Sequence, residues 1–253
     1  MVLQRLEPNS SGQLVEREHR LPALIRRYLE RAFPFPGPVP AQVRLVQTGR
    51  MWSKPGARPM GFSATERFAI DRVAFCWEAR FGIAAAVAIK VRDCYDAGRG
   101  VLQVRALGIP VQRRSGPDIA VGEAYRYLAE LPWIPHAIAV NRDLEWEELD
   151  ERSVEVGCRV GGERIAVTFD FDASGDISRC SAAARPRDVG RKAVPTPWGG
   201  QFSDYRTLGG IRMPVRAEVH WDLNGKRFVY WCGLITDACR VEEQFVAAAG
   251  VAR

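Results

Sequence analysis

The chain lacks the short motifs by which many enzymes are recognised. It has no GxxxxGK loop, no GxGxxG turn after a strand pattern, no GxSxG elbow and no HExxH pair. Its three histidines are His19, His136 and His220, and none of its six cysteines belongs to a CxxC pair, whereas zinc sites usually take closely spaced Cys or His ligands. These absences predict no metal and no cofactor, and they favour a protein without catalytic activity.

Long apolar runs are also missing. No run of about 18 apolar residues is present that could span a bilayer. The opening MVLQRLEPNS has no apolar core of the kind that a secretory signal needs. The sequence therefore predicts no transmembrane segment and a cytoplasmic location, where cysteines are expected to be free, mostly buried thiols rather than a disulfide framework.

Charge of one sign is not concentrated in any long segment. The formal net charge is +6 and the sequence pI about 9.2, but the basic residues are scattered among 30 acidic ones. Only Arg113-Arg114 and the RPRDVGRK segment, residues 185–192, are locally dense. Because nucleic-acid-binding faces usually carry a concentrated basic stripe with aromatic residues, no nucleic-acid partner is predicted, and both clusters are interpreted as solvated loops.

What the chain does contain is a succession of short alternating runs, typical of a mainly β (α+β) protein. Gly, Pro and Asp interrupt these runs at the spacing of consecutive hairpins. The sequence predicts a single domain over residues 1–253 with about eleven strands. Its predicted parts are an N-terminal helix at 21–33, a meander at 43–110, an inserted helix at 118–131, a second meander at 144–238 and a tail at 239–253.

The two helices are too short to cover both faces of a flat sheet. We therefore expect the sheet to bend into a half-barrel around them, with the inserted helix as a lid. Incomplete filling of the concave side would leave an apolar cavity. Residues 196–205, TPWGGQFSDY, are interpreted as a loop at the rim of this cavity, or as a loop packed beneath its mouth.

The Asn224-Gly225 pair predicts a two-residue hairpin turn, which fixes the register of its strands. An unbroken ladder from this turn puts Ala217 opposite Cys232 on an apolar face. It puts Glu218 opposite Trp231 on a mixed face. Since Cys232 would then point away from His220, the register argues against a Cys–His nucleophile.

Three phrases, FSATERFAIDRVAFCWEARF, VRDCYDAGRGVLQVRALGI and TPWGGQFSDYRTLGGIRMPVRAEVHW, resemble an uncharacterised bacterial family known only by a domain-of-unknown-function label. That resemblance covers residues 21–237 and implies no catalytic residues. The order of elements is similar, more distantly, to the bacterial lipoprotein-carrier fold (LolA/LppX-like), a half-barrel with inserted lid helices. This resemblance implies acyl chains held in the concavity without chemistry.

These observations predict a hydrophobic or acyl-chain ligand, such as a lipid, bound in the concave face. The candidate contacts are indole and phenyl rings that could line the cavity, a carboxylate on an otherwise apolar strand face, and a polar row that could meet either a ligand headgroup or water. They are Trp77, Asp93, Trp133, Trp198, Phe202, Tyr205, Arg216, Glu218 and His220.

Two other functions stay open. A small-molecule enzyme could use Glu66, Asp93 or Glu218 as acid or base, and two carboxylates within about one water molecule of each other in the cavity would favour it. Ion pairs within the first meander would instead account structurally for its acids Glu66, Glu78 and Asp93; the available partners are Arg67, Arg80, Arg92 and Arg105. A protein-binding scaffold would show a filled barrel and an exposed apolar patch.

Overall fold

A computed structural model describes residues 6–7, 21–33, 37–83, 87–190 and 192–246. Nearly all of its strands form one antiparallel sheet of thirteen strands, and the two remaining strands make a short parallel pair. The short pair is β1 (Leu6–Glu7) with β2 (Gly37–Pro38). The sheet comprises β3 (Gln42–Met51), β4 (Met60–Ala69), β5 (Phe75–Ile83), β6 (Val87–Asp96), β7 (Arg99–Ala106), β8 (Ile109–Ser115), β9 (Glu145–Glu148), β10 (Ser153–Val160), β11 (Glu163–Phe171), β12 (Ile177–Val189), β13 (Lys192–Leu208), β14 (Ile211–Leu223) and β15 (Lys226–Val241).

The strand order shows two meanders joined edge to edge. It runs β8-β7-β6-β5-β4-β3-β15-β14-β13-β12-β11-β10-β9, so the pairing of β3 with β15 is the junction. The sheet curls into the half-barrel that the sequence predicts, which confirms the mainly β fold class. Its strands number thirteen rather than about eleven. The short edge strand β8 was not predicted, because its side chains are nearly all exposed and carry no alternating burial signal.

The helices lie on the concave side of this sheet. Helix α1 (Ala23–Ala32) falls within the predicted 21–33 and buries one face, including Ile25 and Leu29. Helix α2 (Pro117–Ala129) continues beyond the predicted 118–131 through a 3-10 turn (Leu131–Trp133) into α3 (Pro135–Val140). Because α2 packs against β7, β10, β11 and β12, it bridges the two meanders.

The core fills most of the space between helices and sheet. Tyr28 and Tyr127 are completely buried, and burial raises the pKa of both hydroxyls. Each hydroxyl is satisfied by a carbonyl: Tyr28 donates to Pro132 at 3.1 Å, and Tyr127 donates to Ala69 at 3.2 Å. Since buried polar groups without partners are destabilising, these bonds fix the helices at a definite depth in the sheet.

A bulge interrupts the last hairpin. The predicted pairs hold from Leu223 with Lys226 up to His220 with Val229. Tyr230 is then left without a partner, and beyond it Val219 pairs with Trp231. The predicted pairs of Ala217 with Cys232 and of Glu218 with Trp231 are therefore wrong. The observed pairs are Ala217 with Gly233 and Glu218 with Cys232.

A second bulge lies between β12 and β13. Ala182 pairs with Trp198 and Arg185 with Thr196, so that two β12 residues face one residue of β13. The loop predicted at residues 196–205 is wrong, because these residues belong to β13. The solvated loops predicted at the two basic clusters are also wrong: both clusters lie mainly in strands, Arg185 is buried, and Arg114 forms an ion pair with Asp188.

Two of the cysteines form a disulfide. Cys76 on β5 and Cys94 on β6 are directly opposite each other and are joined by an S–S bond. The prediction of free thiols is wrong for this pair because the register of β5 and β6 places the two cysteines side by side. The other four are free: Cys158, Cys180, Cys232 and Cys239. None of the described helices is both long enough and apolar enough to cross a membrane.

Candidate functional site

The interior of the half-barrel contains a cavity of about 240 Å³ between helix α2 and strands of both meanders. Most of its wall is apolar, and aromatic rings make up a large part of it. The aromatic residues in the wall are Trp77, Trp133, Trp198, Phe202, Tyr230 and Trp231. The charged residues in its lining are Asp93, Arg126, Glu130, Arg185 and Glu218, and the carboxylate of Glu218 is paired with Arg227.

Specific contacts hold the aromatic rings so that their apolar faces line the cavity. Trp133 donates from Nε1 to the carbonyl oxygen of Pro214 at 2.9 Å. Its ring packs edge-on against Phe202 at 6.1 Å between centroids and lies 6.1 Å from the Trp231 ring. Because the indole N–H is already bonded, this part of the wall offers a ligand apolar surface only.

Six of the nine candidate residues named from the sequence line this cavity: Trp77, Asp93, Trp133, Trp198, Phe202 and Glu218. Three do not. Tyr205 donates to the Ile177 carbonyl oxygen at 2.9 Å and lies edge-on to Tyr28. The Arg216 side chain is 63% exposed and lies 3.4 Å from Asp204, and His220 is half-buried beside Asp222 at 4.0 Å.

A buried arginine organises the carboxylates of the cavity floor. Arg126, on α2, donates from Nη2 to Glu66 at 2.7 Å, from Nη1 to Asp93 at 2.9 Å and from Nε to Glu130 at 2.9 Å. Its guanidinium lies over the Phe75 ring at 4.8 Å. Each of the three guanidinium nitrogens thus donates to a different carboxylate, and such charge-assisted hydrogen bonds are stronger than neutral ones.

Sequence reasoning missed Arg126. It predicted that arginines of the first meander would pair with Glu66 and Asp93, and that prediction is wrong. For Glu78 the prediction is confirmed, because Arg92 lies opposite it on the next strand at 3.5 Å. Only the placement of α2 inside the curl brings Arg126 to the acids, and no local pattern in the sequence reports that placement.

A fourth carboxyl group, Glu123, completes the cluster. Glu123 lies within hydrogen-bonding reach of Asp93, and Glu66 within reach of Glu130. Burial raises the pKa of Glu66 and Glu123 well above the ordinary range, and it also raises that of Asp93 and Glu130, against the lowering effect of Arg126.

Three buried oxygens of the cluster have no other partner among the described residues. Asp93 Oδ1, Glu123 Oε2 and Glu130 Oε2 are buried without another hydrogen-bond partner in the described structure. Two carboxyl oxygens can bond only if one carries a proton. A carboxyl proton shared within a pair would satisfy such atoms and lower the negative charge of the cluster, in line with the raised pKa of these groups.

A second buried arginine lies across the cavity. Arg185, 9% exposed, donates from Nε to the Gly122 carbonyl oxygen at 3.2 Å and from Nη1 to the Tyr230 hydroxyl at 3.2 Å. Trp198 Nε1 donates to the same hydroxyl at 3.0 Å. The guanidinium is stacked 4.4 Å from the Trp198 ring. No pattern in the sequence indicates this group, because strict alternation from Ala182 would turn Arg185 outward.

The bulge on β15 changes the argument about Cys232. Since Cys232 lies opposite Glu218, it shares a face with His220, and the register no longer separates them. Burial and the nearby Glu218 carboxylate raise the pKa of the Cys232 thiol. A thiol that stays protonated is a poor nucleophile, so chemistry rather than register argues against a Cys–His pair.

Comparison with known proteins places the chain near proteins without assigned chemistry. The model of a Family of unknown function (DUF6544) matches residues 14–233. No curated protein matches the chain. Among solved structures it is similar to a LolA superfamily protein from Nitrosomonas europaea, with 10% identity, 88% of this chain and 94% of that chain covered, and a TM-score of 0.46.

Two further structures are similar over most of their length. One is a domain from Vibrio parahaemolyticus described as an outer membrane lipoprotein-sorting protein, with 10% identity, coverage of 90% and 91%, and a TM-score of 0.46. The other is a DUF1329 family protein from Desulfovibrio piger, with 9% identity, coverage of 92% and 93%, and a TM-score of 0.36. The resemblance to a family of unknown function noted in the sequence is thus confirmed.

Proposed function

The chain belongs to the DUF6544 family of unknown function, and we propose that it binds the acyl chain or another long apolar part of a ligand in the cavity of its half-barrel, without catalysing a reaction. The observation that carries this proposal is the cavity itself. A void of about 240 Å³ surrounded mainly by indole, phenyl and aliphatic groups loses dispersion contacts that an apolar ligand would restore.

The size of the cavity supports a chain of moderate length. At about 30 Å³ for a group the size of a water molecule, 240 Å³ holds about eight such groups, and a methylene is of similar size. Each methylene transferred from water contributes about 0.8 kcal/mol. An acyl chain of this length therefore gains enough free energy to bind measurably after the loss of its own freedom.

The experiment is recovery of the natural occupant. The protein is purified from its host without detergent and analysed by native mass spectrometry, and the bound material is extracted and identified. We expect a stoichiometric amphiphile whose removal by organic extraction restores the mass of the bare chain. A protein that carries nothing, and that also binds no added amphiphile, contradicts the proposal.

One observation favours a second candidate, an acid–base enzyme. Asp93 and Glu130 both line the cavity, and each has a second carboxyl group within hydrogen-bonding reach. Their remaining oxygens are held by Arg126, which limits their freedom as proton carriers. Incubation with an acyl ester distinguishes the two: an enzyme releases the free acid and loses this activity in Asp93→Asn, whereas a carrier returns the ester intact.

The scaffold alternative finds partial support. The barrel is not filled, contrary to what that function predicts. An exposed aliphatic patch does exist at the turn between β7 and β8, formed by Leu107, Ile109 and Val111. A ligand-free protein that captures a partner through this patch would favour the scaffold.

A further inference from the structure

We propose that Arg185 and Tyr230 form the polar end of the ligand site and bind an acyl oxygen, the carboxylate or carbonyl oxygen at the head of the apolar chain. This inference rests on the proposed function and adds the chemical class of the group that the cavity recognises. The supporting observation is that one place in the cavity wall has more hydrogen-bond donors than acceptors.

Tyr230 accepts two hydrogen bonds and has no acceptor for its own hydrogen. Its hydroxyl oxygen receives Arg185 Nη1 at 3.2 Å and Trp198 Nε1 at 3.0 Å. A hydroxyl oxygen has two lone pairs, so both are occupied and the hydroxyl hydrogen must point elsewhere. No acceptor for it is found among the described residues.

Arg185 also has hydrogen-bond donors without acceptors among the described residues. Its Nε is bonded to Gly122 and its Nη1 to Tyr230, which leaves the Nη2 donors without a protein acceptor in the described part of the chain. No described carboxylate lies within ion-pairing distance of it, although Asp93, Glu123 and Glu130 act on it from further away. A guanidinium that is 9% exposed normally has direct partners.

Both side chains belong to the cavity wall, and a bulge accounts for the position of each. On β12 the extra residue reverses the alternation after Ala182, so that Arg185 turns inward. On β15 Tyr230 is itself the unpaired residue. Bulges commonly redirect a side chain at a functional site, and here two of them bring donors to one point.

The chemistry that fits is an oxygen that only accepts. A carboxylate or an ester carbonyl accepts from Nη2 and from the tyrosine hydroxyl, while an ammonium or another donor does not. The rest of the ligand would extend from this point along the apolar wall formed by Trp133, Phe202 and Trp231.

The test compares three amphiphiles with the same chain: decanoate, methyl decanoate and decylammonium. Binding to the full chain is measured by isothermal titration calorimetry. We expect decanoate and the ester to bind more tightly than the amine. In Tyr230→Phe both acyl ligands should weaken by about twofold to tenfold, and in Arg185→Gln decanoate should weaken by about tenfold to a hundredfold. Affinity for decylammonium should not fall in either variant.

Matched controls are Tyr125→Phe and Arg216→Gln, which change the same side chains away from the cavity wall and should leave all affinities unaltered. Near-ultraviolet circular dichroism checks that each variant is folded. If Arg185→Gln does not fold, Tyr230→Phe decides. The relative response of decanoate and ester shows which acyl oxygen is preferred.

The failures of the two proposals can be told apart. If the wild-type protein binds all three amphiphiles equally and neither variant changes this, water fills the polar end and the headgroup inference is wrong, while the cavity still binds chains. If no amphiphile binds to the wild-type protein, both the cavity function and the headgroup site are overturned.

Discussion

Arg185 donates a hydrogen bond from Nη1 to the hydroxyl oxygen of Tyr230 at 3.2 Å, although the two residues are 45 positions apart and come from strands that are not neighbours in the sheet. The bond crosses β13 and β14 and lies in the wall of the cavity. It joins the polar end of the site to the curvature of the sheet, since flattening this region would separate the two side chains.

Filling the cavity should abolish ligand binding without harming the fold. Ala129, near the end of α2, is buried and lines the cavity, and leucine is a good helix former. We expect Ala129→Leu to weaken decanoate at least tenfold while leaving the thermal unfolding temperature unchanged or raised. Calorimetry and a thermal scan measure both. Ala183→Leu, on an exposed position of β12, is the control that should do neither; equal effects of the two variants would rule out the cavity as the site.

Removing Arg126 should be among the most damaging single changes in the protein. Arg126→Met leaves Glu66, Asp93 and Glu130 buried without their shared donor. Breaking a buried ion pair in this way lowers the free energy of unfolding by about 3–5 kcal/mol. Arg159, whose side chain is 63% exposed and pairs with Glu145, provides the comparison. Arg159→Met should change the free energy of unfolding by less than about 1 kcal/mol. Urea titration measures both, and similar losses would show that the cluster is not held by Arg126.

Stability should fall as the pH rises above the ordinary carboxyl range. Burial raises the pKa of Glu66 and Glu123 in the folded protein, so the folded state binds more protons than the unfolded state above the ordinary carboxyl pKa of 4.5. The stability linked to these protons is complete below that value and is lost as the pH rises through the raised pKa. Urea titrations between about pH 5 and about pH 9 should show the decline.

Glu123→Gln should reduce that decline. The amide supplies a permanent donor to Asp93 Oδ1 in place of the carboxyl proton. The variant should therefore match the wild-type protein near pH 5 and exceed it near pH 9. Glu163→Gln, an exposed change on β11, should reproduce the wild-type curve. A Glu123→Gln curve with the wild-type slope would mean that Glu123 is ionised throughout.

Gly233 should not tolerate a side chain. A Cβ there would overlap the ring of Trp231, which forms part of the cavity wall. We expect Gly233→Ala to lower the free energy of unfolding by about 1–3 kcal/mol and to weaken decanoate, because the indole must move. Gly82→Ala on β5 meets open space and should be neutral in both assays. An unaffected Gly233→Ala protein would show that the Trp231 ring is free to shift.

The sequence was informative wherever structure depends on neighbouring residues. Alternation located most strands, and Asn224-Gly225 fixed the turn of the last hairpin together with the first four pairs beyond it. It failed at Tyr230, because a bulge adds one residue without any required sequence signature. From that point every predicted partner on β15 was displaced by one position.

In the candidate site, too, some residues could be identified from the sequence and others depend on tertiary structure. Trp133 was identified because it follows the predicted lid helix. Trp198 and Phe202 were identified as aromatic residues of a segment interpreted as a rim loop, although that segment is a strand. Arg126 and Arg185 were missed because their positions depend on how α2 enters the curl and on the β12 bulge, which are tertiary facts. Charged residues at such places resemble surface residues until the partners that bury them are known.

The junction between β3 and β15 determines when the cavity can form during synthesis. Residues 42–51 leave the ribosome early, whereas their neighbours at 231–241 leave only after all the other strands. One edge of β3 therefore has no partner strand through most of translation, and Trp231 is synthesised only with the final strand. The cavity is therefore complete only after β15 has been synthesised, and until then the unpaired edge of β3 is open to pairing with other chains.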